Sequence, residues 1–567
     1  MIMQFNSTIR KLLNHKSETI FGAAILMSSL TLLGSFLGIL RDALLASRFG
    51  ASQYLDIYYA SFRLPDFIYN IFILGAISAA FIPIFNEYLF KSKEKAWQFS
   101  NTLIICISLF LGIFALIVVL FARPLLSLFL VGFSREKLEM AVILTRIMMI
   151  QPIILGISSV ISGILKSFRL FFTSALAPLM YNAGIIIGIL FFVPRFGLQG
   201  LAFGVVLGAF LHLMIQFPAL IDTGYRIHFN FSFFIELRSE FNKLIIIMIP
   251  RALSIIIYQI FLVGITSVAT LLKEGSLAIF NFANNIQNLP QIVFALSFAE
   301  SAFPRLSRLE TENNQKDFVK VFQETLNQIL FFLIPLALWF IIFKEPIVRL
   351  LLGYGKFNWQ ATLKTMEVFA ILAIGMIFQG TNSYLLKTFF AKKDAKRPFF
   401  ASLLAYSIGF FFCYKLGVKF GIVGLAGGII FTYIFYFLLL LYFLRIHVKY
   451  SLTSSKEFYI KLIKIIIISA ISGLVGYVIL SLMTNILSLE RVIHLIIDAG
   501  IAFLFTLTTF IILSNRFQIK EIKELKYLIF KRFYFERSPA AGGTSEKKGS
   551  ADRSEAGSYD KRDREHS

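Results

Sequence analysis

Five charged side chains lie within two long apolar segments near the start of the chain. Arg41 and Asp42 belong to the first segment, and Asp56, Arg63 and Asp66 belong to the second. A charge at the centre of a bilayer costs about 2.5–3.5 kcal/mol on insertion scales. Because two segments carry five such groups, the sequence predicts that they face a water-filled cavity or a substrate path between helices rather than lipid.

The second segment places its polar residues at helical spacing. Asp56, Arg63, Asp66 and Asn70 are seven, three and four residues apart, which would put them on one face of a continuous α-helix. Pro65 lies among them and favours a kink, because it lacks a backbone N–H. Arg63 and Asp66 could pair, which would lower the cost of burying both. The pattern fits either an ion pair that fixes helix packing or a cavity wall that faces a polar substrate.

Arg41 is the best candidate for binding an anionic group. A guanidinium stays charged and forms two parallel hydrogen bonds to a phosphate. Asp42 is its neighbour in sequence, and adjacent residues on a helix do not face each other. We therefore expect Arg41 and Asp42 to make different contacts, with Asp42 orienting a partner group. The alternative for each residue is snorkelling at the membrane interface.

Amide side chains are concentrated in a later apolar segment. Asn284, Asn285 and Asn288 lie within five residues of one another and predict a hydrophilic lining that can bond sugar hydroxyls. The alternative is hydrogen bonding between helices, which is worth only about 0.6 kcal/mol per bond in membranes. Glu300 and Glu367 are further acids in or near apolar segments, and they are candidates for coupling transport to a proton or another ion.

The composition is typical of a polytopic membrane protein. Of the 567 residues, 57% are hydrophobic and 15% are charged, whereas soluble domains carry about 25% charged residues. The net charge of +23 fits basic cytoplasmic loops, and no soluble basic domain is present to bind nucleic acid. The sequence has no phosphate-binding glycine loop, paired-cysteine motif or hydrolase signature. We therefore expect neither an enzyme nor a protein that holds a metal or an organic cofactor.

Apolar windows of about 20 residues, the length that crosses a bilayer, recur along the chain. They predict an all-α fold with fourteen transmembrane helices, at residues 22–46, 54–83, 99–121, 138–165, 174–194, 199–220, 244–272, 277–304, 325–343, 362–386, 399–414, 421–444, 458–483 and 491–514. Lys and Arg are more abundant in the loops on the N-terminal side of the membrane. This bias predicts that both termini are cytoplasmic.

Three sequence anchors recur about 222 residues apart and indicate an internal repeat. The paired anchors are Arg123–Gly132 with Glu345–Gly353, Lys166 with Lys387, and Leu64–Pro65 with Leu289–Pro290. The repeat predicts two six-helix lobes in pseudo-twofold relation, with a site between them as in secondary transporters. The predicted domains are a cytoplasmic N-terminus (1–21), an N-lobe (22–222), a C-lobe (223–446), a helix pair (447–515), a basic amphipathic segment (516–537) and a disordered cytoplasmic tail (538–567).

Short motifs from the first to the eleventh predicted helix carry a family resemblance. They are Gly38-Ile-Leu-Arg41-Asp42, Phe49-Gly50-Ala51, Asp56, Phe62-Arg63-Leu-Pro65, Gly75-Ala76, Ala80-Phe81-Ile-Pro83, Glu87-Tyr88, Ala177-Pro178 with Asn182, Gly353-Tyr-Gly-Lys-Phe357, and Phe390-Ala391 through Asp394 to Pro398. The chain resembles the MurJ/MviN family of lipid II flippases, within the multidrug/oligosaccharidyl-lipid/polysaccharide exporter superfamily. The resemblance implies two six-helix lobes, a terminal helix pair with a groove for the lipid tail, and a central cationic cavity for the head group.

The chain departs from the family pattern at several cavity positions. The family usually has arginines where this chain has Ser35 and Tyr69, an acid at Leu74, and an Asp-Arg pair where this chain has Asn284 and Asn285. The positive charge of the cavity would then come from other residues of this chain.

The resemblance implies a flippase of the bacterial inner membrane that moves undecaprenyl-pyrophosphate-linked lipid II outward by alternating access, driven by the membrane potential or a monovalent cation. Arg41, Arg63 and Arg251 would hold the pyrophosphate, and the three asparagines would contact the sugar-peptide. The acids Asp42, Asp56 and Asp66 would orient the arginines. Its partners would be this lipid-linked glycopeptide, membrane lipids and cell-envelope synthesis proteins. The alternatives are a flippase for another lipid-linked glycan, an exporter of amphiphilic cations, or a non-transporting scaffold of cell-envelope assembly.

Overall fold

The structure is a computed structural model that describes residues 20–71, 78–226, 238–447, 456–486 and 492–523. Within these ranges the chain forms helices and turns and contains no β-strand. Residues up to Phe517 form one compact unit, and a second unit begins at Gln518. Of the second unit, residues 518–523 are described, and the predicted basic segment from 524 onward and the predicted tail at 538–567 lie outside the described residues.

The first half of the chain forms twelve α-helices among the described residues. They are α1 Ile20–Phe49, α2 Gln53–Ser61, α3 Arg63–Tyr69, α4 Ser78–Lys91, α5 Lys93–Leu120, α6 Ala122–Ser127, α7 Arg135–Met148, α8 Ile150–Ser167, α9 Phe171–Ile187, α10 Val193–Phe196, α11 Gln199–Met214 and α12 Phe217–Asp222. A π-helical turn at Gly188–Phe192 joins α9 to α10.

The second half forms nine α-helices among the described residues. They are α13 Arg238–Thr270, α14 Ser276–Pro290, α15 Ser297–Thr311, α16 Gln315–Ile342, α17 Lys344–Leu352, α18 Trp359–Ala391, α19 Lys396–His447, α20 Lys456–Ile486 and α21 Val492–Arg516. A π-helical turn at Gln291–Leu296 joins α14 to α15, directly after Pro290.

Eleven helices in the described ranges are long and apolar enough to cross a membrane. One of them, α19, holds two of the predicted spans, because Gly421 adopts φ 67° and ψ −148° and divides it. The predicted polar spans at 54–83 and 277–304 do not appear among the eleven, and interrupted helices occupy their places: α2 to α4 in the first case, α14 and α15 in the second. The all-α membrane fold is therefore confirmed, while the count of fourteen spans stays a prediction.

The predicted repeat is visible in the backbone conformation. Gly50 and Gly275 both have positive φ, as do Arg169 and Lys393, and each pair is 224 or 225 residues apart. Gly197 (φ 57°, ψ −137°) and Gly421 share a conformation that only glycine adopts readily. Left-handed positions are rare in helical proteins, and their recurrence 224 or 225 residues apart agrees with the predicted repeat.

The terminal helix pair packs on the C-lobe. The two helices α20 and α21 pack against each other, and α20 packs against α16. Trp339 of α16 donates its indole N–H to Ser472 Oγ at 3.2 Å, and its ring centroid lies 5.3 Å from that of Phe510 in edge-to-face geometry. A buried aromatic contact with a satisfied indole N–H attaches the pair firmly to one lobe.

Gly421→Ala tests the break in α19. A Cβ at Gly421 would meet no atom within 4 Å, so its cost is backbone strain alone, on the order of 1–3 kcal/mol. The control is Gly427→Ala, which also has open space but lies in the helical part of α19. We expect a lower unfolding temperature in detergent for Gly421→Ala and an equal or higher one for the control; equal temperatures for both variants would contradict the strained break.

Candidate functional site

A buried acid of the N-lobe binds the N-terminus of a C-lobe helix. Asp56, which is 6% exposed, accepts hydrogen bonds from the backbone N–H groups of Gly275 at 2.6 Å and Ala278 at 2.9 Å. The first N–H groups of α14 have no partner within the helix and carry partial positive charge, so a carboxylate is stabilised there. The prediction that Asp56 orients an arginine is therefore wrong, since both of its oxygens bind this helix end.

The two lobes join along a seam at this end of the molecule. The backbone N–H of Lys356 donates to the carbonyl of Ser47 at 2.7 Å, and that of Gly132 donates to Thr270 Oγ1 at 3.2 Å. Lys137 pairs with Glu274 at 2.5 Å. We use the name seam for these three contacts together with the Asp56 contact. These contacts close the end of the molecule that carries the turn between α1 and α2.

The seam follows the internal symmetry. A Cβ at Gly132 of the N-lobe would overlap the carbonyl oxygen of Thr270, and a Cβ at Gly355 of the C-lobe would overlap that of Ser47. Gly355 follows Gly132 by 223 residues, and Thr270 follows Ser47 by the same number. Each lobe therefore presents a glycine to the backbone of the other, and the close approach requires residues without side chains.

A cavity of about 220 Å³ lies on the inner side of the seam. Its wall combines two guanidinium groups, one carboxylate and several aromatic rings, contributed by Arg41, Leu45, Tyr58, Tyr59, Phe62, Arg63, Asp66, Tyr181, Ile185 and Asn281. Among the described residues no group of three or more His, Cys, Asp or Glu side chains could hold a metal ion. The chemistry that the wall offers is anion binding together with hydroxyl and amide hydrogen bonding.

Arg41 is held in the cavity wall by two partners. Its Nε and Nη2 donate to Asp42 Oδ1 at 3.0 and 2.8 Å, and its Nη1 donates to Asn182 Oδ1 at 3.1 Å. The prediction that Arg41 and Asp42 make different contacts is wrong, because the long arginine side chain folds back onto its neighbour. The other oxygen of Asp42 accepts from Asn285 Nδ2 at 2.8 Å, so this ion pair is bonded to the C-lobe.

Arg63 and Asp66 both line the cavity but do not pair directly in the described structure. Arg63 Nε instead donates to Thr266 Oγ1 of the C-lobe at 2.6 Å. α2 ends and α3 begins around Phe62, three residues before Pro65, although Phe62 keeps right-handed helical dihedral angles (φ −71°, ψ −20°). Asp56 binds α14 and does not line the cavity, so it does not share the cavity-facing side of Arg63 and Asp66. Asn70 turns back on its own helix and donates to the carbonyl of Asp66 at 2.8 Å.

The predicted amide residues fall into two groups. Asn285 reaches Asp42, as described above, whereas Asn284 and Asn288 accept hydrogen bonds from Gln287 at 3.1 and 2.8 Å. Gln291 extends this group to Gln379 of α18 at 2.9 Å. The amide cluster thus fixes α14 to α18, and Asn281 is the amide of α14 that lines the cavity.

The candidate coupling acids lie in ion pairs away from the cavity. Glu300 binds Lys387 at 2.6 Å, and Glu367 binds Lys364 at 2.7 Å; both acids have side chains about half exposed. Arg251 lies on α13, but its side chain is outside the described part of the chain. A role in coupling for these acids, and in binding for Arg251, stays a prediction.

Sequence reasoning missed the aromatic and amide part of the wall. Tyr59 precedes Arg63 by one helical turn and Asp66 by two, so the helical spacing that selected the charges could have selected it as well. Tyr181 and Asn182 are adjacent on α9, and their proximity to Arg41 arises only from tertiary packing.

A family model with the description "Lipid II flippase MurJ" matches residues 45–497. The chain belongs to the MurJ family. A probable MurJ of Thermotoga maritima is 28% identical over 77% of this chain and 86% of its own length, and one of Borreliella burgdorferi is 28% identical over 67% and 75%. A solved MurJ in an inward closed conformation is 26% identical, covers 87% of this chain and 99% of its own, and has a TM-score of 0.71.

Transporters of the MATE family share the fold of this MurJ family member. An inward-facing MATE transporter of the MOP superfamily is 17% identical, covers 76% of this chain and 99% of its own, and has a TM-score of 0.64. The match to the MurJ family begins at Leu45, four residues after Arg41. The importance of Arg41 therefore rests on its position in the cavity wall rather than on the family match.

Asp56→Ala tests the seam. The substitution removes two charge-assisted hydrogen bonds, each worth about 1.5–3 kcal/mol, so the seam should open more often. The reporter is Ser52→Cys, with Cys106 and Cys413 replaced by serine, since the Ser52 hydroxyl is buried next to the seam. We expect faster thiol labelling at position 52 in Asp56→Ala. The matched control is Asp317→Ala, which removes an acid of the first turn of α16 that accepts a hydrogen bond from the N-cap residue Asn314. It should leave the rate unchanged, and equal rates in both variants would exclude a role for Asp56 in closure.

Asp42→Ala tests the ion pair. Removing one partner of a buried pair costs about 3–5 kcal/mol, and Asp42 is 4% exposed. The control is Glu367→Ala, which breaks the exposed ion pair of Glu367 with Lys364. An exposed pair of this kind contributes only about 0–1 kcal/mol to stability. We expect a clear fall in the unfolding temperature for Asp42→Ala and almost none for Glu367→Ala. A fall of the same size in both variants would show that Asp42 does not hold the buried network.

Proposed function

We propose that this chain translocates lipid II, the undecaprenyl-pyrophosphate-linked precursor of peptidoglycan, from the inner to the outer leaflet of the bacterial cytoplasmic membrane. The observation that carries the proposal is a guanidinium in the wall of a cavity between two lobes, in a chain of the MurJ family. Relatives that match most of this chain carry the name lipid II flippase.

Arg41 is the first group that we assign to the pyrophosphate. In the empty cavity Asp42 neutralises it, which limits the cost of a buried charge. A pyrophosphate offers the same guanidinium more oxygen acceptors and more negative charge than one carboxylate does, so it competes well for the outer N–H groups of Arg41. Arg63 supplies the second positive charge of the wall, and Arg251 stays a candidate for a third.

The hydrogen bonds that cross between the lobes link cargo binding to lobe movement. Asp42 binds both Arg41 and Asn285, and Arg63 binds Thr266. When cargo takes over Arg63, the hydrogen bond of Arg63 to Thr266 of the C-lobe is lost, while Asp42 keeps its bond to Asn285 until the lobes separate. The seam must then open for outward release. Alternating access of this kind is typical of transporters built from two related halves.

The hydroxyl and amide groups of the wall are suited to the sugar-peptide part of the cargo. Tyr59 and Asn281 line the cavity beside the arginines. Of the predicted contacts, Asn285 is nearest to this wall through Asp42, whereas Asn284 and Asn288 would have to exchange their bonds with Gln287.

The remaining features of the proposal concern orientation and energy. The bias of basic residues places both termini in the cytoplasm, so that the seam closes the periplasmic face. Glu300 and Glu367 are the acids that we propose for ion coupling, each by exchange of its lysine partner for a cation. The partners that follow from the cargo are other proteins of cell-envelope synthesis.

Arg41→Ala tests the proposed function. The variant is expressed in a bacterial strain depleted of its own lipid II flippase, and growth and cell shape are measured. We expect rescue by the unchanged chain, loss of rescue by Arg41→Ala, and partial rescue by Arg41→Lys, which keeps the charge but not the planar pair of donors. The control is Arg308→Ala, an exposed arginine on α15. Full rescue by Arg41→Ala at equal membrane abundance would exclude the proposed role of Arg41.

A further inference from the structure

A second and larger cavity lies outside the transport path, on the C-lobe beside the seam. Its volume is about 860 Å³, within the range of about 300–1,000 Å³ that is usual for small-molecule sites. We call it the C-lobe cavity. Its lining comes from the α13–α14 loop, the start of α14, the start of α18 and the break in α19, together with Ala51 of the N-lobe. The lining residues are 271–274, 276, 279, 358, 360, 361, 363, 364, 367, 417, 418 and 420–423.

The C-lobe cavity lies at the level of the membrane surface. Three membrane-crossing segments end at it: α13 finishes at Thr270, α18 starts at Trp359, and the first part of α19 finishes at Gly421. Trp359 is more than half exposed at this level, as is typical of the aromatic belt at membrane interfaces. A cavity at which three membrane-crossing segments end lies at the boundary between lipid and water.

The walls of the cavity are apolar where they face the membrane. Leu271, Leu363, Val418 and Phe420 line it and are all exposed, Val418 to 60%. Exposed apolar side chains around a concave site favour an acyl chain or another apolar ligand group.

The lining holds two lysines and two acids, and two further lysines, Lys137 and Lys419, lie beside it. Both acids in the lining already have partners: Glu274 binds Lys137, and Glu367 binds Lys364. Lys273, in the lining, has no acidic partner in the described structure. Lys419 lies next to the lining residues Val418 and Phe420, and its ammonium group is 5.1 Å from the centre of the Phe420 ring. Two cations thus remain for a ligand.

We propose that the C-lobe cavity binds an anionic phospholipid of the adjacent leaflet. Lys273 and Lys419 would bind the phosphate of the head group, and Leu271, Leu363, Val418 and Phe420 would contact the upper part of the acyl chains. The arrangement of cations above an exposed apolar wall at the membrane surface matches the two-part chemistry of such a lipid. The proposal goes beyond the cargo and does not depend on it.

The bound lipid would contact both lobes at the seam. Ala51 belongs to the N-lobe turn, and Glu274 forms the ion pair that crosses to Lys137. A ligand that contacts these residues only when the seam is closed stabilises the closed state by mass action. Anionic lipid in this leaflet would therefore slow the opening of the seam.

The test counts the lipids that the purified full chain retains, by native mass spectrometry in detergent with added phosphatidylglycerol or phosphatidylcholine. We expect one tightly retained phosphatidylglycerol and weaker retention of phosphatidylcholine. The double variant Lys273→Gln/Lys419→Gln should raise the apparent Kd for this lipid at least fivefold. The charge-matched double variant Lys344→Gln/Lys415→Gln, on α17 and α19 outside the lining, should not.

Two further variants separate this site from its alternatives. Val418→Trp fills the cavity without a change of charge and should also displace the lipid, whereas Arg41→Ala, in the transport cavity, should retain it. Equal Kd values for the two lysine double variants would overturn the proposal. Loss of the lipid in Arg41→Ala would overturn it as well, since the lipid would then occupy the cargo site. Displacement by inorganic phosphate alone would show a phosphate site rather than a lipid site.

Discussion

The hydrogen bonds of Asp42 are the interaction on which the site depends. A lone guanidinium inside an apolar protein is costly, and Arg41 lies in the cavity wall only because Asp42 and Asn182 satisfy it. The second oxygen of Asp42 binds Asn285 of the other lobe. One carboxylate thus compensates the charge of Arg41, fixes the direction of its side chain and connects it to the C-lobe. The cavity wall and the proposed cycle depend on this arrangement.

The seam achieves closure by a different kind of contact. Asp56 binds backbone N–H groups at the start of α14, and the glycine approaches at Gly132 and Gly355 bring backbone against backbone. Such contacts depend on the direction of helices and turns more than on side-chain identity. They therefore follow the internal repeat, whereas the cavity wall does not: its charges come from the N-lobe, and the C-lobe contributes an amide.

The sequence predicted the fold better than it predicted the contacts of the site. Hydropathy and helix length are local properties, so the apolar windows and the repeat predicted the all-α membrane architecture. The polar helices around Pro65 and Pro290 are not among the helices that are long and apolar enough to cross a membrane. Arg41, Arg63 and Asp66, which the cost of burying charge singled out, line the cavity. Their partners were not predicted, because Asn182, Thr266 and Asn285 lie more than 100 residues away and meet them only through tertiary packing. The junction of α2 and α3 at Phe62 lies three residues before Pro65, where the sequence predicted a kink, whereas the contact of Asp56 with α14 had no sequence signal.

The distribution of charge across the two lobes explains how the cavity can open without leaving buried charges unpaired. The ion pair of Arg41 and Asp42 lies within the N-lobe and can stay intact when the lobes separate. The contacts that must break near the cavity join one charged group to one neutral group, Asp42 to Asn285 and Arg63 to Thr266. Water can replace a neutral amide or hydroxyl at small net cost, whereas separating a buried ion pair leaves two uncompensated charges. One ion pair, Lys137 with Glu274, joins the two lobes. The Glu274 side chain is largely exposed, so this pair contributes little to the stability of the closed state. A pseudosymmetric fold with an asymmetric distribution of charge therefore keeps the energy difference between closed and open states small, as repeated transport requires.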